Sequence, residues 1–284
     1  PAAKPAYRLE STGSVYELPG GGAVAIFGQP RFMDNKLAAI AQSTGVAQAL
    51  AQGYAQSSQD IFSRMRGAYS AAIVDTARER VLAAIDRLGQ HSLYYGVING
   101  ILSFGSSASS VLDNVQGEHA LRQQGIYNYL YFHMVPCPGT VYSSLEKLSA
   151  AHYIDYQYGE CKAVNYWQPT FNESINPPST DSLCADLKEV LRSSVERSLQ
   201  DAGKVGSFLS GGLDSSTVTG LMAEAGGGEA EAYSIGFHAE GYDEMAFARI
   251  TARHFGVKLN EYYVTPQDVV DALPLIATSY DEPF

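Results

Sequence analysis

Apolar residues in the second half of the chain switch repeatedly between helical and extended spacing. The stretch 182–199 carries apolar residues three or four positions apart, which predicts an amphipathic helix. These residues are Leu183, Leu187, Val190, Leu191, Val195 and Leu199. The stretches that follow predict a strand at 205–209, a helix at 215–225, a strand at 232–237, a helix at 243–255 and a strand at 258–264. Strands that alternate with helices predict a parallel sheet with helices on its faces.

The first half of the chain has a different pattern, with short apolar runs separated by turn residues, and such runs predict strands. The runs are Ala23 to Phe27, Tyr69 to Val74, Val81 to Ile85 and Leu102 to Phe104. Apolar residues between Asp34 and Tyr54 fit helical spacing, and Gly117 to Tyr131 predicts a second helix. We therefore expect this half to be mixed α and β.

A change of composition after Trp167 separates the two halves. Residues 168–180 are rich in Pro, Asn and Ser, and such a stretch sustains neither a helix nor a central strand. The length of 284 residues also favours two domains. We expect a first domain over residues 1–167, a linker over 168–180 and a second domain over 181–284.

The charge balance is acidic and limits the classes of partner. With 19 Lys and Arg against 30 Asp and Glu, the formal net charge is −11 at pH 7, which disfavours nucleic acid or an anionic membrane. No apolar run approaches the roughly 18 residues that a membrane helix requires, and the first residues do not resemble a secretion signal. Cys137, Cys161 and Cys184 have no metal-ligand spacing. These features predict a cytoplasmic protein with no membrane or nucleic-acid partner.

Candidate chemistry lies at Ser210-Gly-Gly-Leu-Asp-Ser-Ser, between the strand at 205–209 and the helix that follows. Gly211 and Gly212 allow the backbone to curve around an anion, and the N-terminus of a helix favours negative charge. Asp214 by itself would repel a phosphate, but a carboxylate that binds Mg²⁺ attracts phosphate oxygens through the metal. The motif therefore predicts a magnesium-assisted phosphate site. The alternative is a glycine turn followed by an ordinary helix cap.

The motif is not a Walker P-loop, because GxxxxGK[ST] is absent and no lysine follows the glycines. It resembles the pyrophosphate loop of the N-type ATP pyrophosphatases, and Val205 to Ser216 is similar to that loop in the asparagine synthetase family. Other segments resemble the same family in the same order. They are Ala232 to Phe237, Tyr242-Asp-Glu with Ala248-Arg249, and Val264 through Asp281-Glu-Pro-Phe.

This resemblance implies a parallel-sheet nucleotide-binding domain of the adenine nucleotide α-hydrolase type, which is incomplete in this chain. Such enzymes bind ATP and Mg²⁺, activate a carboxylic acid as an acyl-adenylate with release of pyrophosphate, and transfer the acyl group to ammonia or an amine. The resemblance assigns Asp214 to Mg²⁺. It assigns pyrophosphate to Ser210, Gly211, Gly212, Ser215 and Ser216, and the adenine site to Leu209, Ser234 and Ile235.

The first domain resembles the glutamine amidotransferase domain of the same family, which is an N-terminal-nucleophile-hydrolase-like fold of stacked sheets. The similar segments are Met65 to Asp75, Leu82 to Tyr95, Leu102 to Ser107, Tyr131 to Tyr142, Leu148 to Tyr153 and Tyr166-Trp167. The resemblance therefore covers most of the chain and implies an α+β domain followed by an α/β domain.

Three departures from the family affect the glutamine-hydrolysing site. The family uses an N-terminal cysteine as nucleophile, whereas this chain begins with Pro1 and has its first cysteine at 137. The family's Asn-Gly-Glu corresponds to Phe27-Gly28-Gln29, and its Ser-Asp-Thr-Glu has no counterpart at 56–60. We therefore expect that this domain does not hydrolyse glutamine.

Another departure is that the family continues beyond Asp-Glu-Pro to a second Mg²⁺-binding loop, whereas this chain ends at Phe284. We expect the reaction to need a second chain or a C-terminal segment. The leading hypothesis is an ATP-dependent amide-forming enzyme that joins a carboxylic acid to ammonia or an amine. The alternatives are a cyclase that uses an amine of its own substrate, as in β-lactam synthetases and lasso-peptide cyclases, and a catalytically silent nucleotide-binding or scaffold subunit. Asp281 and Glu282 lie either near the acceptor site or in a solvated loop.

Overall fold

The computed structural model describes residues 7–114, 119–171, 177–200, 203–226, 230–239, 241 and 243–283. These residues form two units. Unit 1 comprises the chain through Thr170 and the segment that begins at Tyr280, and unit 2 comprises Phe171–Ser279.

Unit 1 contains eleven strands and four α-helices among the residues described. The strands are β1 (Ser14–Glu17), β2 (Gly22–Gly28), β3 (Arg31–Phe32), β4 (Met65–Arg66), β5 (Tyr69–Asp75), β6 (Arg80–Ile85), β7 (Tyr94–Ile98), β8 (Ile101–Gly105), β9 (Glu146–Lys147), β10 (His152–Gln157) and β11 (Glu160–Asn165). The helices are α1 (Asn35–Thr44), α2 (Val46–Ser57), α3 (Ala108–Leu112) and α4 (Gln123–Phe132), and a 3-10 helix spans Ser58–Arg64.

Two antiparallel sheets stack in unit 1. The strands β5, β6 and β10 bury side chains on both faces of the first sheet. The first sheet has the order β1-β2-β5-β6-β10-β11, the second has the order β8-β7-β9, and β3 pairs with β4. One face of the first sheet packs on α1 and α2 through residues such as Ile73, and the other packs on the second sheet through residues such as Ile85. Tyr94 on the far face of the second sheet packs with α3. This layered structure agrees with the expected stacked sheets.

The predicted strands of unit 1 are confirmed as β2, β5, β6 and β8. The helix predicted over 34–54 is wrong as a single element, because Gly45 has φ of 110° and separates α1 from α2. A positive φ is readily available only to glycine, so this residue ends one helix and begins the next. The helix predicted from Gly117 begins at Gln123, and Gly117 itself lies outside the described residues.

Unit 2 is a parallel sheet with helices. Its elements are α5 (Thr180–Leu199), β12 (Gly206–Phe208), α6 (Leu213–Ala225), β13 (Glu231–Phe237), α7 (Met245–Phe255), β14 (Lys258–Val264) and α8 (Pro266–Ser279). The strand order is β12-β13-β14, and both pairs are parallel. This confirms the parallel arrangement predicted from the alternation of elements.

The core of unit 2 lies on one face of its sheet only. Ala232 on β13 packs there with residues of α6 and α7, and Val195 and Leu199 of α5 contact the same cluster. The apolar N-terminal part of α5 is exposed, however, with 49% of Leu183 and 58% of Leu187 accessible. The sequence pattern predicted this helix correctly but did not indicate that much of its apolar face remains uncovered. No helix among the described residues is long and apolar enough to cross a bilayer.

Candidate functional site

The SGGLDSS segment lies at the carboxyl end of β12, where the chain turns into α6. Leu209 ends the extended segment with its N–H donating to the carbonyl oxygen of Tyr233 at 2.9 Å, and its side chain is 1% exposed. Residues 210–212 then form the loop, and α6 begins at Leu213. The carboxyl ends of parallel strands are where such sheets bind ligands, so the predicted loop is in a suitable place.

Hydroxyl groups hold the loop in its shape. The Oγ atoms of Ser210 and Ser215 lie 3.0 Å apart, and the N–H of Gly212 donates to Ser210 Oγ at 3.2 Å. Ser215 Oγ also donates to the carbonyl oxygen of Gly212 at 3.2 Å. Ser216 Oγ lies 3.1 Å from Thr251 Oγ1 on α7. The serines therefore order the loop through contacts within unit 2.

Gly211 is required by its backbone and by its neighbours. It has φ of +86°, and a Cβ atom at this position would lie 2.4 Å from Phe247 Cβ and 2.7 Å from the backbone nitrogen of Ala248. Both distances are far below van der Waals contact, so a side chain here would displace the loop from α7. The second glycine, Gly212, is the N-cap of α6 with φ of −68° and makes no side-chain capping bond.

The start of α6 can bind an anion. Because Gly212 has no side chain to cap the helix, the N–H groups of the first turn remain available to a ligand. Asp214 is exposed in that turn, where a carboxylate oxygen can bind a divalent cation. No group of three or more potential protein ligands for a metal forms among the described residues. The donor set fits a Mg²⁺ ion that takes one carboxylate from the protein and its other ligands from phosphate and water.

The three residues assigned to the adenine site do not present their side chains together. Ser234 and Ile235 are neighbours on β13 and point to opposite faces of the sheet, so that 5% of Ser234 and 58% of Ile235 is accessible. The side chain of Leu209 is in the core. Leu209, Ser234 and Ile235 do not form a common side-chain surface. Only their backbone atoms could line one adenine pocket, as predicted.

A second cluster at the same edge of the sheet was not predicted. The rings of His238 and Tyr263 stack with centroids 4.8 Å apart and an interplanar angle of 15°. Tyr263 Oη donates to Asp243 Oδ2 at 3.3 Å, and Asp243 Oδ1 accepts from the N–H of Met245. Tyr242, which precedes Asp243 in the segment that resembles the family, lies outside the described residues. The sequence signal that could have indicated this cluster is the position of His238 immediately after β13.

Arg249 is not available as a phosphate ligand in this arrangement. Its Nε and Nη2 atoms donate to the two carboxylate oxygens of Glu261 at 2.8 and 2.6 Å. These hydrogen bonds raise the pKa of the Arg249 guanidinium. An anion at the loop therefore depends on backbone N–H groups, hydroxyls and a metal ion.

Unit 1 contains a cavity of about 1130 Å³, which Phe27 and His91 line. Phe27 is 48% exposed and meets the ring of His91 edge to face, with centroids 5.4 Å apart. None of the three cysteines lines this cavity. Burial and the nearby carboxylates of Glu146 and Asp155 raise the pKa of the Cys161 thiol, which disfavours the reactive thiolate.

Asp281 and Glu282 contact unit 1. The backbone N–H of Ser109 donates to Asp281 Oδ1 at 3.0 Å, and only 8% of the side chain of Glu282 is accessible. The side chain of Glu282 is therefore not solvated, whereas Asp281 is partly exposed. A location near an acceptor site stays a prediction.

Comparison with known families identifies the two domains. Residues 33–167 match the family of glutamine amidotransferase domains, and residues 186–284 match the asparagine synthase family. Together with the relatives described next, these matches make the chain similar to the asparagine synthetase family.

Individual relatives agree with this assignment. Asparagine synthetase (glutamine-hydrolyzing) 1 of Bacillus subtilis is 26% identical over 233 residues, which are 81% of this chain and 36% of the relative. Putative asparagine synthetase (glutamine-hydrolyzing) 2 of Methanocaldococcus jannaschii is 27% identical over 79% of this chain and 44% of its own length. The chain spans less than half the length of these relatives.

A solved structure of the glutamine phosphoribosylpyrophosphate amidotransferase of B. subtilis, complexed with ADP and GMP, matches 92% of this chain and 52% of that chain. The identity is 11% and the TM-score is 0.35, a similarity too low to indicate a shared fold.

Proposed function

We propose that this chain is the N-terminal portion of an ATP-dependent carbon-nitrogen ligase that activates a carboxylic acid as an acyl-adenylate. The observation that carries the proposal is the SGGLDSS loop, which places an uncapped helix N-terminus and the carboxylate of Asp214 at the carboxyl end of a parallel strand. In the reaction, the acid oxygen attacks the α-phosphorus of ATP, and the bond to the bridging oxygen of the β-phosphate breaks. Pyrophosphate leaves, and an amine then displaces AMP from the acyl group.

Each loop residue has a part in this reaction. Backbone N–H groups of Gly211 and Gly212 and the first turn of α6 bind the pyrophosphate, whose developing charge they stabilise. The hydroxyls of Ser210, Ser215 and Ser216 orient the loop. Asp214 would hold Mg²⁺, which would supply positive charge to stabilise the leaving pyrophosphate.

The adenine ring is placed next to β13, where the backbone of Leu209, Ser234 and Ile235 receives it. This assignment accords with a domain of the adenine nucleotide α-hydrolase type and with unit 1 as a domain of the N-terminal-nucleophile-hydrolase type. Both fold assignments are part of the proposal.

The amine does not come from glutamine in this proposal. Phe27 and Gln29 replace the residues that contact glutamine in the family, and a phenyl ring cannot hydrogen-bond an amide or stabilise an oxyanion. The same observation favours a second candidate, a cyclase in which the substrate's own amine attacks the acyl-adenylate. Both reactions use the same loop. The three cysteines form no disulfide, which supports a reducing compartment such as the cytoplasm.

The direct test is Mg-ATP binding to the 284-residue chain by isothermal titration, with Asp214→Asn as the variant. Asparagine keeps the size of the side chain but removes the charge that binds the metal, so the affinity for Mg-ATP should fall at least tenfold. Affinity for ATP in the presence of EDTA should not fall. Asp181→Asn is the matched control, because Asp181 is also an exposed aspartate in the first turn of a helix.

Absence of nucleotide binding to the unaltered chain would favour the catalytically silent subunit. Equal affinities of Asp214→Asn and Asp181→Asn for Mg-ATP would remove Asp214 from the mechanism. In a protein that carries the remaining segment, Asp214→Asn should lower pyrophosphate release about a hundredfold, since a metal ion contributes several kcal/mol to transition-state stabilisation and about 1.4 kcal/mol corresponds to tenfold.

A further inference from the structure

The carboxylate of Glu282 is held between Lys147 of β9 and the backbone of Val141. Its Oε1 accepts from the backbone N–H of Val141 at 3.1 Å, and its Oε2 pairs with Lys147 Nζ at 2.5 Å. The side chains of Lys147 and Glu282 are 22% and 8% accessible. Both oxygens of this nearly buried carboxylate therefore have a partner.

The lysine that binds Glu282 is itself fixed by unit 1. Lys147 lies on β9, which pairs with β7 so that it is opposite Tyr94. Its backbone N–H donates to the carbonyl oxygen of Pro138 at 2.9 Å, and its Nζ lies 5.8 Å from the centroid of the Tyr94 ring. Lys147 is therefore fixed by the sheet and not by the acidic segment that it binds.

Asp281 and Tyr94 add to the same contact. Asp281 accepts a hydrogen bond from the backbone of Ser109. Burial first, and then the negative charges of Glu282 and Asp281, raise the pKa of the Tyr94 hydroxyl. Tyr94 thus stays protonated beside the carboxylates and can donate to one of them. Two successive side chains of the segment are fastened at separate points on unit 1.

We propose that Lys147 is a positioning residue that anchors the acidic segment Asp281–Glu282 to unit 1. This inference goes beyond the proposed function and does not depend on nucleotide chemistry. It gives the amidotransferase-like domain a role that survives the loss of the glutamine site, because the anchor uses β9 and the 141 backbone and none of Phe27, Gln29 or His91.

The physical basis is the cost of an unpaired buried charge. Removing one member of a buried ion pair leaves its partner desolvated and without compensation, whereas breaking an exposed pair costs little because water replaces the partner. Lys147 and Glu282 belong to the first case. Lys162 and Glu160, which are 68% and 71% accessible, belong to the second.

The test is amide hydrogen exchange, resolved by residue, on the full 284-residue chain without nucleotide. In Lys147→Met and in Glu282→Gln, exchange at the amides of Ser109 and Val141 should rise at least tenfold. The double variant should show no further rise, since the two changes remove one interaction. Lys147→Arg should keep most of the protection, and Lys162→Met, the exposed control, should change nothing.

Two outcomes would overturn the inference. One is unchanged exchange at Ser109 and Val141 in both single variants. The other is an equal rise at core amides such as that of Ile73, since Lys147 would then stabilise the whole unit and not anchor the segment. If Lys147→Met does not fold, Glu282→Gln alone decides, with the Ser109 amide as its readout, because glutamine has the size of glutamate and removes only the charge that pairs with Lys147. No nucleotide is present, so failure here leaves the proposed function untouched, and failure of Mg-ATP binding leaves the anchor untouched.

Discussion

Unit 1 is the more densely packed of the two units, whereas unit 2 contains the candidate nucleotide site. The central strands of unit 1 are buried on both faces, and Ile73 and Ile85 on adjacent strands are 0% and 2% accessible. In unit 2, one face of β13 is exposed, with 58% of Ile235 accessible. Yet unit 1 has Phe27 at its cavity, where the resemblance leads us to expect an amide side chain, whereas unit 2 has the whole SGGLDSS loop.

If the proposed loss of glutamine hydrolysis is correct, packing and chemistry are kept independently in this protein. Packing in unit 1 depends on many apolar contacts spread over two sheets, so a substitution at the edge of the cavity can change its chemistry without disturbing the core. The loop of unit 2 depends on a few hydrogen bonds among neighbouring residues. It needs only the end of one strand and the start of one helix, which a sparsely packed sheet still provides.

The largest effect is expected on the free energy of unfolding when an isoleucine is changed to alanine in each unit. Ile73→Ala should lower the free energy of unfolding by about 2 to 5 kcal/mol, because it leaves a cavity in a buried sheet. Ile235→Ala should lower it by less than about 1 kcal/mol, since that side chain is already largely in water. Denaturant unfolding of each variant measures both values, with fluorescence and circular dichroism compared to detect separate transitions of the two units.

Similar losses for both substitutions would mean that β13 is covered in solution. The contrast between the units would then be wrong, and oligomeric state would be the next measurement.

A smaller effect is expected at Asp75, a buried aspartate of unit 1. Burial opposes ionisation of this carboxyl, but hydrogen bonds from Arg78 and Tyr54 outweigh it and hold its pKa below the ordinary value. The distances are 2.7 Å from Arg78 Nη1 and 2.9 Å from Tyr54 Oη. Asp75→Asn should lower the free energy of unfolding at pH 7 by about 1.5 to 3 kcal/mol, the range for hydrogen bonds to a charged group.

The pH dependence of this effect has a definite sign. Because the pKa in the folded state lies below the unfolded value of about 3.9, the stabilisation is present above that value and is lost as the pH falls through the folded pKa. The difference between the unaltered protein and Asp75→Asn should therefore shrink below about pH 4. The exposed Asp60→Asn is the control, and a difference that stays constant down to pH 2 would exclude ionisation of Asp75 as the cause.

The smallest expected effect is on glutamine, where no reaction should occur. Incubation of the chain with glutamine should release no glutamate above a blank, because Phe27 and Gln29 replace the contacts that the family uses. A coupled glutamate assay measures this. Glutamate release that disappears when Cys137, Cys161 and Cys184 are all changed to serine would show that the chain has a glutaminase thiol, and the opposition between the two units would not hold.

Local patterns in the sequence were sufficient for much of the fold and for the loop itself. The period of the apolar residues predicted β13 and β14 within one residue of their observed ends. The loop was predictable because two glycines and three serines occur within seven consecutive residues, between a predicted strand and a predicted helix. Gly211 is the kind of residue that its positive φ requires.

The tertiary structure determined which distant residues are in contact and how far each side chain is buried. Tyr263 and Asp243 are 20 positions apart, and Lys147 and Glu282 are 135 positions apart. Neither pairing has a period or a motif that indicates it. The same holds for Ile235, because a period of two predicts which side chains share a face, but only the neighbouring elements determine whether that face is covered. Local propensity selects the elements, whereas contacts distant in sequence depend on how those elements pack.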